Sequence, residues 1–274
     1  MVSTAVLTAT RRRIPKSNTA ILKKASQKGE AFYIECFQKG IPMNFKNPFK
    51  SFTKFEWFLW LFSLVAVTAS FMIPSEKDYL TLAASLIGIT ALIFVSKGLV
   101  IGQILIVIFA VFYGVISFYC RYYGEMITYL GMSAPIAMLS VVSWIRHPAK
   151  NHAEVAVHRM NRRELVLMFV FATVTTILFY FILGALGTAN LFFSTASVTT
   201  SFIASYLTFM RSPYYALAYA LNDLVLIVLW IAAAMGDISS LPMIFCFLMF
   251  FANDLYGFFN WRRMEKRQLE ETWL

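Results

Sequence analysis

The chain has 274 residues, 59% of them hydrophobic and only 14% charged, with a mean hydropathy of +0.66 and a formal net charge of +10. A soluble domain carries roughly 25% charged residues, and no water-soluble core of this size holds so much apolar sequence, so a soluble globular enzyme is excluded. The basic excess sorts along the chain as a membrane-topology signal, which argues against a nucleic-acid partner.

Residues 1–56 include Arg11, Arg12, Arg13, Lys23 and Lys24 and contain no apolar core long enough for a signal peptide. They are expected to form a basic cytoplasmic tail, either lying on the anionic inner leaflet or free in solution. Eight apolar runs follow, at 57–73, 79–95, 99–118, 123–145, 165–185, 190–210, 213–234 and 240–261. A bilayer core about 30 Å thick takes about 20 helical residues to cross. In lipid a spanning segment must satisfy its own backbone hydrogen bonds. Each run is therefore expected to be a transmembrane helix, giving an all-α integral membrane protein with about eight crossings. Every Lys and Arg except Lys77 and Arg121 falls in 1–56, 96–98, 146–164, 211–212 or 262–274. Eight alternating crossings put those segments on one side, and the positive-inside rule makes that side the cytoplasm, with both termini in it.

The runs after the first divide as three, one, three. Residues 57–78 make an extra first helix and outer loop, and 79–146 a first three-helix repeat. Residues 147–189 make a cytoplasmic loop and linker helix, 190–262 a second repeat, and 263–274 a cytoplasmic C-terminal tail. Both triplets start outside and finish inside, so they would be parallel repeats about an axis along the membrane normal. Lys97 and Arg211 sit in equivalent short inner turns, and Trp144 and Trp261 each close a third helix.

Polar residues deep in a membrane segment are costly and mark function. Asn222-Asp223 lies near the middle of the seventh run and Asn253-Asp254 in the inner half of the eighth. They either line a polar cavity or bond neighbouring helices. Tyr215, Tyr219 and Trp230 share a broad face with the first pair, where a planar solute would stack. Ser194, Ser197, Ser201, Ser205 and Thr208 form one face of the sixth run, as a hydrophilic path or a close helix contact. Gly98 and Gly102 form a small-xxx-small pair suited to helix contact. Pro135 removes a backbone donor inside the fourth run and is a kink or a hinge. His147, His152 and His158 lie in one loop without metal-ligand spacing, and Cys36, Cys120 and Cys246 form no disulfide framework. No nucleophile-elbow, zincin or phosphate-loop motif is present, so neither an enzyme nor a nucleotide-driven pump is expected.

At the fourth run comes Tyr123-Gly124-Glu125-Met126, closed by Trp144. A basic loop with Glu154-Val155-Ala156-Val157 follows, and near the C-terminus stands Tyr256-Gly257-Phe258-Phe259-Asn260-Trp261. In order and layout these resemble, over about 79–263, the PnuC family of bacterial vitamin transporters, known for nicotinamide riboside. The resemblance implies a fold similar to the SWEET transporters in the bacterial inner membrane, facilitated diffusion without a cofactor, and trapping by a cytosolic kinase. The family's W-x-x-W-x-x-x-N helix falls here on Tyr215, Ala218 and Asn222. The Asn is kept, the first ring is a Tyr, and the second Trp is lost. Tyr215, Tyr219 and Trp230 are expected to stack on the solute, and Asn222, Asp223, Asn253, Asp254 and Tyr256 to bind its polar groups. The altered rings leave thiamine or deoxynucleosides as alternatives, proton coupling through Asp223 as a second mode, and a membrane enzyme or sensor as a rival class. Homo-oligomerisation is left open.

Overall fold

The computed structural model describes residues 48–273 apart from 76, 120–122, 151–153, 189 and 237. The basic tail up to residue 47, His152, Cys36 and Cys120 lie outside the described residues. A short 3₁₀ turn (Pro48–Ser51) leads into α1 (Lys54–Phe71), α2 (Tyr79–Ser96) and α3 (Val100–Tyr119). Then come α4 (Tyr123–Arg146), α5 (Arg162–Ala185), α6 (Leu191–Phe209), α7 (Tyr215–Ala234) and α8 (Leu241–Trp273). No β-strand occurs among the described residues, only an isolated bridge between Pro148 and Val155.

Local chemistry sets the helix ends. Thr53 and Glu56 form a reciprocal capping box, so α1 begins at Lys54, earlier than the apolar run alone suggests. Asp78 caps α2, and Asn161 with Glu164 makes a second capping box at α5. α8 does not stop at the membrane edge but continues as a charged helix to Trp273. Its extension is held by Arg159 and Arg262 on Glu265, by Arg267 on Glu154, and by Gln268 on the backbone of Val155 and Val157. The C-terminal tail is therefore a docked helix as far as it is described.

Among the described residues seven helices are long and apolar enough to cross a membrane, and α6 falls short. The reason is its load of hydroxyls. Thr195, Thr199 and Thr208 return their protons to carbonyls one turn back, which makes the helix tolerable in an apolar setting without raising its hydropathy. α4 is α-helical over Tyr123–Ile127, π-helical over Thr128–Ser133 and α-helical again over Ala134–Arg146. Pro135 has no N–H for Gly131, and its ring would clash with that carbonyl in a regular turn. The wider turn, in which the Ala134 N–H reaches Tyr129, resolves the conflict.

α2 packs on α3 and α3 on α4, as α6 packs on α7 and α7 on α8. The two sets meet crosswise, α2 against α8 and α4 against α6, while α5 covers α6 and α1 lies on α2 and α8. Matching details occur at the basic end of the bundle, which carries Lys97, Arg146, Arg211 and Arg262. Gly98 closes α2 and Arg211 closes α6, both with positive φ (68° and 57°) and the same pair of backbone bonds. The Trp144 indole donates to the Thr208 carbonyl at 3.0 Å, and the Trp261 indole to the Val95 carbonyl at 2.9 Å. Thr208 and Val95 each lie three residues before the positive-φ position. The two buried rings meet each other with centroids 5.4 Å apart. Gly98 thus serves the turn, and it also lies close against α8, where a Cβ would meet Met264 at 3.1 Å. A Cβ on Gly102 would lie 2.5 Å from the Val95 backbone nitrogen, so Gly102 permits the tight approach of α3 to α2.

Candidate functional site

α7 carries the polar residues of the bundle interior, and the helical turn of about 100° per residue sends neighbours to different helices. Asn222 faces α6. Its Oδ1 accepts from Thr200 Oγ1 at 2.8 Å and from Ser197 Oγ at 3.3 Å. Both bonds use the carbonyl oxygen, which fixes the amide and leaves Nδ2 as the side without a bond among the described residues. Asp223 faces α8, where its carboxyl meets that of Asp254 at hydrogen-bonding range. Both acids are 3% exposed, and Asp223 Oδ2 has no partner. One turn toward the basic end, the Tyr219 hydroxyl lies 3.0 Å from Ser205 Oγ on α6. Tyr215 packs edge-on against Trp261 with centroids 4.9 Å apart. A Cβ on Gly257 would sit 3.2 Å from the Tyr215 hydroxyl, so Gly257 gives that ring its place.

The structure brings Tyr215, Tyr219, Asn222, Asp223 and Asp254 together along the α6–α7–α8 seam. It sends the other three expected residues elsewhere. Asn253 faces α1, donating through Nδ2 to Ser63 Oγ at 3.1 Å and to the Met249 carbonyl at 2.8 Å, with Oδ1 buried and without a partner. The Tyr256 hydroxyl donates to Glu56 of α1 at 2.7 Å, beside the Lys97 ammonium on the same carboxylate at 2.7 Å. Tyr256 also lines a cleft of about 580 Å³ at the basic end, with Phe55, Lys97, Phe259 and Arg263. Trp230 lines a cleft of about 160 Å³ at the opposite end, with Asp78, Tyr113, Ser117 and Glu125.

Of the α6 hydroxyl stripe, Ser197 and Ser205 reach α7. Thr200, a closer partner of Asn222 than Ser197, lies three residues after Ser197 on the same face and was legible from that spacing. Sequence reasoning missed the ring cluster beside the distal cleft. Glu125 lines that cleft beside Tyr113 and Ser117, and Tyr113 packs on Tyr129 with centroids 4.6 Å apart. Tyr129 stands on the π-helical turn. Pro135, six residues on, marked a kink or hinge in this run, and the wide turn it enforces is what places Tyr129 there. Of the histidines, His147 bonds the Ser143 carbonyl and His158 pairs with Glu164. Among the described residues no cluster suits a metal ion.

Residues 78–263 match the nicotinamide mononucleotide transporter family. The nicotinamide riboside transporter PnuC of Neisseria mucosa is 25% identical over 224 residues, 80% of this chain and 85% of that protein. The nicotinamide riboside transporter PnuC of Haemophilus influenzae is 23% identical over 212 residues, 76% of this chain and 90% of that protein. The crystal structure of a vitamin B3 transporter PnuC superposes with a TM-score of 0.68 at 25% identity, covering 80% of this chain and 94% of that one. The family match runs from the cap of α2 to the basic end of α8, through every residue of the α6–α7–α8 seam. With its apolar helices and interior polar seam, this chain belongs to the nicotinamide mononucleotide transporter family of multi-pass membrane transporters.

Proposed function

We propose that this chain carries nicotinamide riboside across the bacterial inner membrane, with both termini and the basic end in the cytoplasm. The observation that carries the reading is Asn222, fixed by Thr200 and Ser197 in the middle of α7, where the family's binding helix keeps an Asn. Tyr219 and Tyr215 supply ring faces on the same helix. The triplets α2–α4 and α6–α8 rock about the paired Trp144 and Trp261 and expose the seam to each side in turn. α1 is an addition to that pair of triplets, and the broad apolar face of α5 meets lipid or a second copy. Solute moves down its gradient, and a cytosolic kinase traps it as the phosphate ester.

The chemistry of the seam supports the nucleoside over its phosphate ester. Asp223 and Asp254 are its acidic side chains, and among the described residues no Lys, Arg or His reaches them. A phosphate brought there would meet carboxyls instead of cations. Thiamine is the second reading, because Ala218 stands where the family's second ring would stack. Proteoliposome uptake of labelled nicotinamide riboside tests the proposal. Wild type should accumulate it and Asn222→Ala should lose most of that uptake while remaining folded. Uptake of thiamine but not of nicotinamide riboside would move the assignment to the second reading.

A further inference from the structure

We infer that the cleft between α1 and α8 at the basic end holds the phosphate of an anionic phospholipid. The cleft shares no lining residue with the α6–α7–α8 seam, so the inference goes beyond the proposed carrier activity.

Charge points to an anion. The cleft measures about 580 Å³. Tyr256, Asn260, Arg263 and Arg267 enter its lining from one face of α8, at spacings of 4, 3 and 4. The α2–α3 turn adds Lys97. The lining carboxylates are Glu56 and Glu154, and each already sits on a cation: Glu56 on Lys97 at 2.7 Å, Glu154 on Arg267. One positive charge is left over. It falls on Arg263, which is exposed and has no hydrogen bond or ion pair among the described residues. Lys97 also keeps a donor. Its ammonium has three N–H groups. Glu56 takes one at 2.7 Å and the Ser51 carbonyl another at 2.9 Å. The third has no oxygen acceptor among the described residues, the Phe52 ring lying 5.7 Å from the nitrogen. An open ammonium donor and a surplus guanidinium on one cleft are the partners of a phosphate.

The remaining lining says where that phosphate comes from. Phe55 on α1 and Phe259 on α8 border the same cleft, 55% and 60% exposed. Phe58 and Phe62 continue the exposed row along α1 away from the basic end. Exposed rings on a membrane-spanning helix face acyl chains and the headgroup level. Phe259 stands one turn on the membrane side of Arg263, so the cleft has an acyl-facing edge and a cationic edge. A free phosphate would use only the second. A glycerophospholipid uses both, its phosphate on Lys97 and Arg263 and its chains against Phe55 and Phe259. Basic pockets between transmembrane helices take anionic headgroups in this way. A phosphodiester carries one negative charge, which matches the one charge left over. A zwitterionic headgroup brings its own cation and leaves the surplus in place. The bound phosphate joins α8 to the α2–α3 turn beside the start of α1, a helix that precedes the family match at 78–263.

The test is lipid binding to the detergent-purified full chain, read by native mass spectrometry and by melting temperature. Phosphatidylglycerol is compared with phosphatidylcholine of the same acyl chains. No solute is present, so the outcome is independent of the carrier reading. Wild type should bind phosphatidylglycerol at least tenfold more tightly and melt higher with it. Glycerophosphoglycerol, the same headgroup without acyl chains, should not displace it. Arg263 has no partner to lose, so Arg263→Gln should still melt cooperatively. That variant should bind phosphatidylglycerol about fivefold more weakly and phosphatidylcholine as before, and Arg263→Lys should keep most of the affinity. Lys266→Gln, exposed on the same stretch of α8 but outside the cleft, should change neither. Equal binding of the two lipids to wild type would overturn the inference. So would equal losses in Arg263→Gln and Lys266→Gln, which would mean a general attraction to the basic end. Glycerophosphoglycerol or inorganic phosphate binding as tightly as the lipid would give the cleft to a free phosphate and overturn it as well.

Discussion

Removing the Glu56 carboxylate should unclamp α1 from the rest of the bundle. Glu56 is 1% exposed and accepts from Lys97 Nζ at 2.7 Å, from the Tyr256 hydroxyl at 2.7 Å and from the Thr53 backbone at 2.6 Å. It thus ties the start of α1 to the α2–α3 turn and to α8 at once. Deleting one partner of a buried ion pair costs about 3–5 kcal/mol, mostly because the other charge is left uncompensated. Lys97 is 14% exposed and also donates to the Ser51 carbonyl at 2.9 Å, so it keeps one partner and some water. The lower end, about 3 kcal/mol, is expected for Glu56→Ala. At about 2–4 °C per kcal/mol for a chain of this size, the melting temperature in detergent should fall by about 6–12 °C. Glu56→Gln keeps acceptors for Tyr256 and Thr53 and should lose about half as much. The double variant Glu56→Ala, Lys97→Met should be no worse than Glu56→Ala alone, because the ammonium that lacked a partner is gone. A Glu56→Ala protein melting within 2 °C of wild type, or a double variant showing the full sum of both losses, would refute this account of how α1 is held.

Thr200→Val removes the stronger of the two donors to Asn222 and should raise the KM for nicotinamide riboside about fivefold, about 1 kcal/mol, while Thr200→Ser should restore it. Trp144→Phe and Trp261→Phe each leave a buried helix-end carbonyl without its indole donor, and each should cost about 1–3 kcal/mol in thermal unfolding. If the triplets are equivalent, the two losses will agree within about 1 kcal/mol, and a large inequality would count against the repeat. Gly102→Ala places a methyl 2.5 Å from the Val95 backbone nitrogen and should sharply reduce folded protein on size-exclusion chromatography. Ser63→Ala takes away one acceptor from Asn253 and should lower stability by about 1 kcal/mol, with solute affinity unchanged.

The helices were legible because hydropathy reports them directly, and their ends less so. The first helix starts earlier than its apolar run because Thr53 and Glu56 cap it. The last runs on because Glu265, Arg267 and Gln268 dock on a loop more than a hundred residues away in sequence, a pairing that no local pattern announces. In the site, the pairs Asn222-Asp223 and Asn253-Asp254 stood out as intramembrane polar residues. Their partition did not. Neighbours on a helix point about 100° apart, so Asn222 meets α6 while Asp223 meets α8, and Asp254 joins the seam while Asn253 turns to α1. Trp230 lies seven residues beyond Asp223, about 10 Å along the axis at 1.5 Å per residue, and therefore lines the distal cleft instead. Shared face was readable from spacing; depth along the axis was the quantity that decided which residues meet.

Equilibrium binding to the purified full chain in detergent, with nicotinamide riboside and nicotinamide mononucleotide compared on wild type and Asn222→Ala, tests the central claim most directly. The account predicts saturable binding of the nucleoside to wild type, at least tenfold weaker binding of the nucleotide, and loss of nucleoside binding in a variant that still melts cooperatively. Tight binding of the nucleotide, or nucleoside binding that survives Asn222→Ala unchanged, would contradict it.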